Sequence, residues 1–164
     1  VPDYFRARIQ NKEIVLRHPN STRPWQHVLE PLSGYLALAS NLLMQNKEFQ
    51  GCWNFGPLSD SVHSVNDLIN QLQIYDRKVK IRLENINKPA ESISLKLDIS
   101  KAISMLDWVP LLSFEQSVQL TAQGYINDLN LDSSVNNRLD TINFFVGISS
   151  KKKIKWSNDT NKNK

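Results

Sequence analysis

An apolar repeat with the period of an α-helix follows directly on an extended segment between residues 23 and 43. From Glu30 onward, apolar side chains recur every three or four positions and so share one helix face: Leu32, Tyr35, Leu36, Ala39, Leu42 and Leu43. Pro31 suits the first turn of that helix, where its missing N–H removes no hydrogen bond. Arg23 precedes Pro24, and proline disfavours a helical backbone at the residue before it. The sequence therefore predicts an extended segment that leads into an amphipathic helix.

Arg23 is the candidate ligand-binding residue of this segment. Its planar guanidinium group presents N–H donors in a fixed fork that matches a phosphate or a carboxylate. An Arg on extended backbone just ahead of a helix can face a bound ligand. His27, in the same segment and close to Trp25, is predicted to be a packed residue and not a catalytic base.

Asn54 is a second candidate, in the apolar run Cys52–Pro57. The run predicts a buried strand whose carboxyl end opens into a loop, where open α/β sheets bind their ligands. A buried amide without a partner is costly. Asn54 must therefore either bond to nearby backbone groups or reach a ligand, and the residues alone leave both interpretations open.

Short predicted strands and helices alternate along the rest of the chain, which indicates the α/β class. The strands are predicted at 13–17, 79–83 and 95–97, and the helices at 1–9, 64–72, 98–106 and 114–129. Ser64 with Asp67, and Ser113 with Gln116, have the spacing of helix-capping boxes. The apolar pattern assigns Trp108 to the core. The alternation of apolar and basic residues assigns three side chains to a solvated strand face: Lys80, Arg82 and Lys96.

The net charge of +4 is unevenly distributed over the 164 residues. Residues 1–132 contain 13 Lys and Arg against 14 Asp and Glu, whereas residues 133–164 contain 7 against 2. The length predicts one domain, 1–132, and the Lys- and Asn-rich composition of 133–164 predicts a basic, largely disordered tail. Neither a nucleic-acid partner nor a membrane is predicted, because the body is nearly neutral and no apolar run is long enough to span a bilayer.

Several patterns of known chemistry do not occur in these 164 residues. Cys52 is the single cysteine, which excludes an internal disulfide and favours a reducing, cytoplasmic location. The three His residues are too scattered to predict a metal site. No G-x-G-x-x-G turn occurs, and no Tyr is followed four residues later by Lys. We therefore assign no catalytic, cofactor-binding or metal residue. Separately, the abrupt start of the first predicted helix predicts that the chain is part of a longer one.

Two stretches resemble the CDP-glucose 4,6-dehydratases, nucleotide-sugar enzymes of the extended short-chain dehydrogenase/reductase superfamily. They are residues 14–20, Ile-Val-Leu-Arg-His-Pro-Asn, and residues 23–36, which begin Arg-Pro-Trp-Gln-His-Val. The resemblance continues to about Leu129, through Trp53–Pro57, Leu95–Asp98 and Ser100–Ala102. It covers roughly three quarters of the chain but only the C-terminal half of the family's pattern. It implies an α/β fold of Rossmann type, present here as its C-terminal substrate-binding part without the N-terminal dinucleotide-binding half.

The resemblance also implies roles for individual residues. Arg23 and Asn54 would hold the diphosphate of a nucleotide sugar, and a segment at Ile14 and Leu16 would lie beside the base. A small edge strand with both side chains buried explains Ile14 and Leu16 equally well. The loop 87–92 corresponds in placement to a nucleotide-contacting loop and supplies the candidates Lys88 and Glu91. Ala90 departs from the pattern there, because close relatives are expected to have His.

The implied activity is a lyase reaction, the conversion of CDP-glucose to CDP-4-keto-6-deoxyglucose for the deoxysugars of lipopolysaccharide O-antigen. The complete enzymes use NAD and are expected to be homodimers. This chain alone is expected to bind no cofactor and to be inactive unless a separately encoded N-terminal half complements it. The alternative is a non-catalytic nucleotide-binding or protein-interaction module derived from such an enzyme.

Overall fold

The computed structural model describes residues 1–59, 61–84, 95–129, 134–152 and 154. In chain order the elements are α1 (Pro2–Ile9), β1 (Ile14–Leu16), β2 (Thr22–Arg23), α2 (Leu29–Leu43), a 3₁₀ turn (Lys47–Phe49), β3 (His63–Ser64), α3 (Val65–Tyr75), β4 (Ile81–Leu83), α4 (Ser100–Leu106), α5 (Phe114–Leu129) and α6 (Ser134–Lys151). The α/β class is confirmed. Within the described ranges, no helix is both long and apolar enough to cross a membrane.

The strands form two separate two-stranded sheets. β1 pairs in parallel with β4, with Ile14 opposite Ile81 and Leu16 opposite Leu83. β2 pairs antiparallel with β3, with Arg23 opposite His63. The strands predicted at 52–57 and 95–97 are wrong, because neither segment pairs with another strand among the described residues. A strand needs backbone pairing with a neighbouring strand as well as burial. The apolar run 52–57 indicated burial, which Phe55 has, but it could not indicate a pairing partner.

The larger core lies between α1, β1, α3 and α5. Its buried side chains are Tyr4, Phe5, Ala7, Leu16, Leu68, Ile69, Leu72, Val79, Phe114, Val118 and Ala122. Both predicted capping boxes are present. The Ser64 hydroxyl accepts the Asp67 N–H at 3.1 Å, and the Ser113 hydroxyl accepts the Gln116 N–H at 3.2 Å. These caps fix where α3 and α5 begin.

A second, smaller core joins α2 to α4 through Phe55, Ile99, Ala102 and Trp108. Trp108 is 1% exposed, as predicted, and its indole N–H donates to the Ser33 hydroxyl at 2.9 Å. Ile103 on α4 is 38% exposed. α2 approaches this core with its small residues: a Cβ placed on Gly34 would lie 2.3 Å from the Phe55 ring. Only glycine permits so close an approach.

Glu30, in the first turn of α2, is 1% exposed and holds the loop after Trp108. One carboxylate oxygen accepts the Leu111 N–H at 2.9 Å and the Leu112 N–H at 2.7 Å. The Lys152 ammonium donates to the Leu111 carbonyl at 2.8 Å. Burial raises the pKa of the Glu30 carboxyl, and the two N–H donors and the Lys152 charge oppose that rise. The first turn of α2 and the end of α6 are thus both tied to the loop after Trp108.

Residues 134–151 form α6, where the composition predicted a largely disordered tail. The helix packs against α5, Phe145 is 4% exposed and Ser149 is fully buried. The charge count missed the apolar run around Phe145, whose burial offsets the entropy lost on ordering. Phe144 and Val146 stay exposed beside it. Residues 155–164 lie outside the described residues, and the domain boundary at 132 stays a prediction.

Gly34→Ala is expected to destabilise the protein by roughly 1–3 kcal/mol, because the new methyl group must displace the Phe55 ring. Gly124→Ala in α5 is the matched control, since no atom lies within 4 Å of its added Cβ. That change should be neutral or should stabilise by up to about 1 kcal/mol through helix propensity. Urea unfolding followed by circular dichroism measures both, and equal effects of the two changes would refute the close packing of α2.

Glu30→Gln is expected to become increasingly stabilising, relative to the parent, as the pH rises. A carboxyl whose pKa is raised in the folded state contributes most to the free energy of unfolding at pH values near and below its ordinary pKa of 4.5. That contribution is lost as the pH rises through the pKa of the folded state. Gln keeps a carbonyl acceptor for both N–H groups but does not titrate. Thermal midpoints of both proteins between pH 5 and 8 measure the difference. A difference in thermal midpoint that does not change with pH would contradict the burial of an ionisable group. Glu48→Gln, at an exposed position, is the control and should have the same thermal midpoints as the parent.

Candidate functional site

A shallow cleft lies where β2 ends, between two loops that run on either side of it. The first wall is Arg23 with Pro24, and the other walls come from the two loops: Pro57, Leu58, Ser59, Ser61, Val62, Leu95, Lys96 and Leu97. Among the lining residues that the structure describes, the basic ones are Arg23 and Lys96. The cleft therefore combines two cations with mainly small or apolar walls, an arrangement suited to an anionic group carried on a larger ligand.

Several bonds fix the backbone around Arg23. Its β-bridge partner is His63, whose carbonyl oxygen accepts the Trp25 indole N–H at 3.0 Å. The Trp25 N–H donates to the Arg23 carbonyl at 2.8 Å. One guanidinium N–H donates to the Thr22 carbonyl at 2.7 Å. The extended conformation predicted from the following proline is confirmed, and the side chain lines the cleft.

Lys96 reaches the cleft because the segment 95–97 closes on the loop that begins at Phe55. A Cβ on Gly56 would lie 3.0 Å from a methyl group of Leu97, so Gly56 allows the two segments to touch. The sequence assigned Lys96 to a solvated strand face. Its side chain is exposed, but the segment forms no strand among the described residues, and Lys96 lines the same cleft as Arg23. Nothing in the local pattern indicated this, because it depends on the contact between distant segments.

Asn54 does not line the cleft. Its amide donates to the Asp98 carbonyl at 3.2 Å, and the Asp98 carboxylate accepts the Ser100 N–H at 2.9 Å. Hydrogen bonds from Ser100 hold the pKa of the Asp98 carboxyl below its usual value. Of the two interpretations open for Asn54, the structure contains the bond to nearby backbone, which ties residues 52–57 to the start of α4. Its role towards a ligand stays a prediction.

Ile14 and Leu16 lie on β1, away from the residues that line the cleft. Leu16 is 6% exposed within the larger core, and Ile14 packs against the same cluster. Their backbone groups pair with β4, since the Ile14 N–H donates to the Lys80 carbonyl at 2.9 Å and the Leu16 carbonyl accepts the Glu84 N–H at 3.0 Å. The buried edge strand is thus present. Contact of this segment with a nucleotide base stays a prediction, and Lys88, Ala90 and Glu91 lie outside the described residues.

His27 is 7% exposed at the start of α2. Its Nδ1 accepts the Leu29 N–H at 3.3 Å, and burial lowers the pKa of the imidazole. A neutral ring that serves as an acceptor for the helix start is a packed residue, as predicted. Among the described residues no group of three His, Cys, Asp or Glu side chains is placed to hold a metal ion.

A sequence comparison identifies a curated relative. No family model matches the chain. CDP-glucose 4,6-dehydratase of Salmonella typhimurium is 39% identical over 111 residues, which are 67% of this chain and 31% of that enzyme. The resemblance predicted from the sequence is confirmed, and the chain spans about a third of the relative's length.

Solved structures with a similar fold include nucleotide-sugar enzymes. UDP-glucuronic acid 4-epimerase from Bacillus cereus, in complex with UDP-glucuronic acid and NAD, has a TM-score of 0.60 at 22% identity and covers 77% of this chain and 38% of its own. dTDP-glucose 4,6-dehydratase from Bacillus anthracis, in complex with NAD, has a TM-score of 0.57 at 17% identity and covers 80% and 40%. PbgP3 from Burkholderia pseudomallei has a TM-score of 0.59 at 16% identity and covers 83% and 39%. The fold is therefore part of the Rossmann-type fold of NAD-dependent epimerases and dehydratases.

The described residues do not suit a dinucleotide cofactor. A dinucleotide site places the cofactor's diphosphate at the N-terminus of a helix, behind a glycine-rich turn that follows a strand. Here β3 runs directly into α3 without a glycine, and the Asp67 carboxylate already accepts the Ser64 N–H at 2.8 Å at that helix start. The Asp67 carboxylate therefore occupies the place at the start of α3 where a phosphate would bind. The expectation that this chain alone binds no NAD stays a prediction.

Proposed function

We propose that this chain, a relative of part of a CDP-glucose 4,6-dehydratase, is the C-terminal, substrate-binding portion of such an enzyme. The complete reaction converts CDP-glucose to CDP-4-keto-6-deoxyglucose, a cytoplasmic lyase step that supplies deoxysugars for lipopolysaccharide O-antigen. The observation that carries the proposal is the 39% identity over 111 residues, on a chain with the fold of nucleotide-sugar enzymes. The two cations of the cleft support it.

Arg23 and Lys96 would hold the diphosphate of CDP-glucose. The guanidinium fork of Arg23 suits two oxygens of one phosphate, and the Lys96 ammonium, which lines the same cleft, adds a point charge. The bonds around Trp25 and His63 keep the Arg23 backbone in place before the ligand arrives. Less conformational freedom is then lost on binding, which favours affinity.

Asn54, Ile14, Leu16, Lys88 and Glu91 are proposed as further contacts to the nucleotide. Asn54 would act beside its bond to the Asp98 carbonyl, and the β1 segment would contribute through the edge opposite its pairing with β4. Lys88 would add positive charge, and Glu91 would accept hydrogen bonds from the ribose or the base. These five assignments rest on the resemblance.

Catalysis is proposed to depend on residues outside this chain. The printed sequence contains neither the glycine-rich turn nor the Tyr and Lys spacing of the superfamily's chemistry. We accordingly propose that the 164 residues alone bind CDP-glucose or a related nucleotide sugar without converting it. The NAD-binding and catalytic part would lie outside these 164 residues, and the complete enzyme would be a homodimer.

A second candidate is a non-catalytic interaction module with the same fold. The exposed apolar face of α2 favours it, because Leu36 and Leu43 are 73% and 84% exposed. Absence of CDP-glucose binding by the parent chain would select this candidate.

Arg23→Ala is expected to weaken CDP-glucose binding about 10- to 100-fold, since a hydrogen bond to a charged group contributes roughly 1.5–3 kcal/mol. Arg23→Lys should recover only part of the loss, because Lys lacks the planar fork. Arg82→Ala is the matched control: it removes an Arg that lies outside the cleft and pairs with Glu13 at 2.7 Å. Isothermal titration calorimetry with CDP-glucose measures all four proteins. Equal affinities of Arg23→Ala and the parent would reject the diphosphate assignment.

A further inference from the structure

A pocket of about 740 Å³ lies between the first residues of α1, the segment 25–29 and the helices α5 and α6. Pockets that bind small molecules have volumes of roughly 300–1,000 Å³ and walls that are mainly apolar and aromatic, with a few polar groups. This pocket, called the helix pocket below, has such walls: Trp25, Leu29, Leu120, Tyr125 and Ile142. Among the described residues, it shares none with the cleft of the candidate functional site.

Gly124, in the interior of α5, lines the helix pocket. Glycine destabilises the interior of a helix relative to alanine, so a helical glycine often has a packing reason. Gly34 has such a reason, because a Cβ there would lie 2.3 Å from the Phe55 ring. At Gly124 an added Cβ would meet no such neighbour within 4 Å in the described part of the chain. Close packing therefore does not explain Gly124, and its missing side chain leaves space that a ligand can fill.

The two aromatic walls of the helix pocket are held in place by the protein itself. The Trp25 indole N–H donates to the His63 carbonyl at 3.0 Å. The Tyr125 ring stacks on Phe5, with ring centroids 4.4 Å apart and ring planes 2° from parallel. Aromatic side chains that are already fixed lose little conformational freedom on binding, and their rings pack well against a flat ligand. The walls therefore favour an aromatic molecule.

Gln26 brings a hydrogen-bond acceptor without a donor to the helix pocket, which it lines. Its amide N–H donates to the Phe55 carbonyl at 2.9 Å, and this bond fixes the side chain. Its Oε1 atom is buried and has no hydrogen-bond partner among the residues that the structure describes. A buried acceptor without a donor is costly, and such atoms are rare in folded proteins. A ligand that donates an N–H to Oε1 would remove that cost.

The charged side chains that line the helix pocket neutralise each other. In the described ranges they are Asp128 and Arg138, whose carboxylate and guanidinium groups lie 3.0 Å apart. His27 also lines the pocket, and burial lowers the pKa of its imidazole, so the ring is neutral at pH 7. A pocket without net charge suits an uncharged ligand and gives a phosphate no cation of its own.

We propose that the helix pocket binds a small, uncharged aromatic molecule that carries a ring N–H or an amino group. Its ring would pack against Trp25 and Tyr125, and its N–H would donate to Gln26 Oε1. The proposal is independent of the function proposed for the cleft at Arg23. It also lies beyond the sequence resemblance, which ends at about Leu129, because residues 138–142 of α6 form one wall of the pocket.

Indole is the probe that tests the proposal, because it has a flat ring system and one N–H donor. Benzofuran is its matched counterpart, with an oxygen atom in place of the N–H. Isothermal titration calorimetry of the 164-residue chain should give about tenfold weaker binding for benzofuran, which cannot donate to Gln26. Gly124→Phe should weaken indole binding about tenfold or more by filling the open space. Gly147→Phe is the matched control and should bind like the parent, because Gly147 is an exposed glycine of α6 outside the helix pocket, also without a neighbour within 4 Å of an added Cβ.

Three results would overturn the proposal: no binding of indole by the parent, equal affinities for indole and benzofuran, or unchanged indole binding by a Gly124→Phe variant that keeps the parent's circular dichroism. Amide chemical shifts of the parent give a check that needs no variant. Indole should shift the amides of residues 25–29, 120–125 and 138–142, and shifts confined to other residues would contradict the site. These titrations contain no CDP-glucose, so they leave the Arg23 assignment to its own test.

Discussion

The buried carboxylate of Glu30 is the interaction on which the arrangement of α2 depends. It accepts two backbone N–H groups from the loop after Trp108, and Lys152 at the end of α6 donates to the Leu111 carbonyl of the same loop. Loss of the carboxylate would leave two donors without an acceptor, at roughly 1–3 kcal/mol for each that is buried. The bonds also orient α2, because they hold its first turn inward while Gly34 lets the Phe55 ring approach. In that orientation Leu36 and Leu43 are 73% and 84% exposed, whereas Leu38 packs against the smaller core.

The candidate site follows from the same arrangement. The segment that ends in α2 begins at Arg23, and its backbone is held by pairing with His63 and by the Trp25 indole. Phe55 packs under α2, and the loop that follows it forms one wall of the cleft, where Gly56 admits the segment that carries Lys96. A cleft with cationic side chains and an exposed apolar helix face therefore both lie around α2. This combination is expected of a binding portion that works together with another part of its fold.

The features that could be predicted from the sequence are those decided by neighbouring residues. Ser64 with Asp67 and Ser113 with Gln116 cap their helices through contacts three residues apart, and Pro24 restricts Arg23 through its own ring. The strand predicted at 52–57 failed, because a strand needs a pairing partner that an apolar run cannot specify. The presence of Lys96 in the same cleft as Arg23 depends on contact between distant segments. α6 was missed because net charge and composition outweighed the apolar run around Phe145 in the prediction.

The most direct test of the account measures conversion of CDP-glucose in the presence of NAD, through the absorbance in base of the 4-keto-6-deoxy sugar. The 164-residue chain should give no product alone, and product should form when the unmatched part of the Salmonella dehydratase is co-expressed with it. Product formation by the chain alone would contradict the account, since catalysis would then come from 164 residues that contain neither the glycine-rich turn nor the Tyr and Lys spacing. A purified complex of the two polypeptides that binds CDP-glucose but yields no product would contradict it as well.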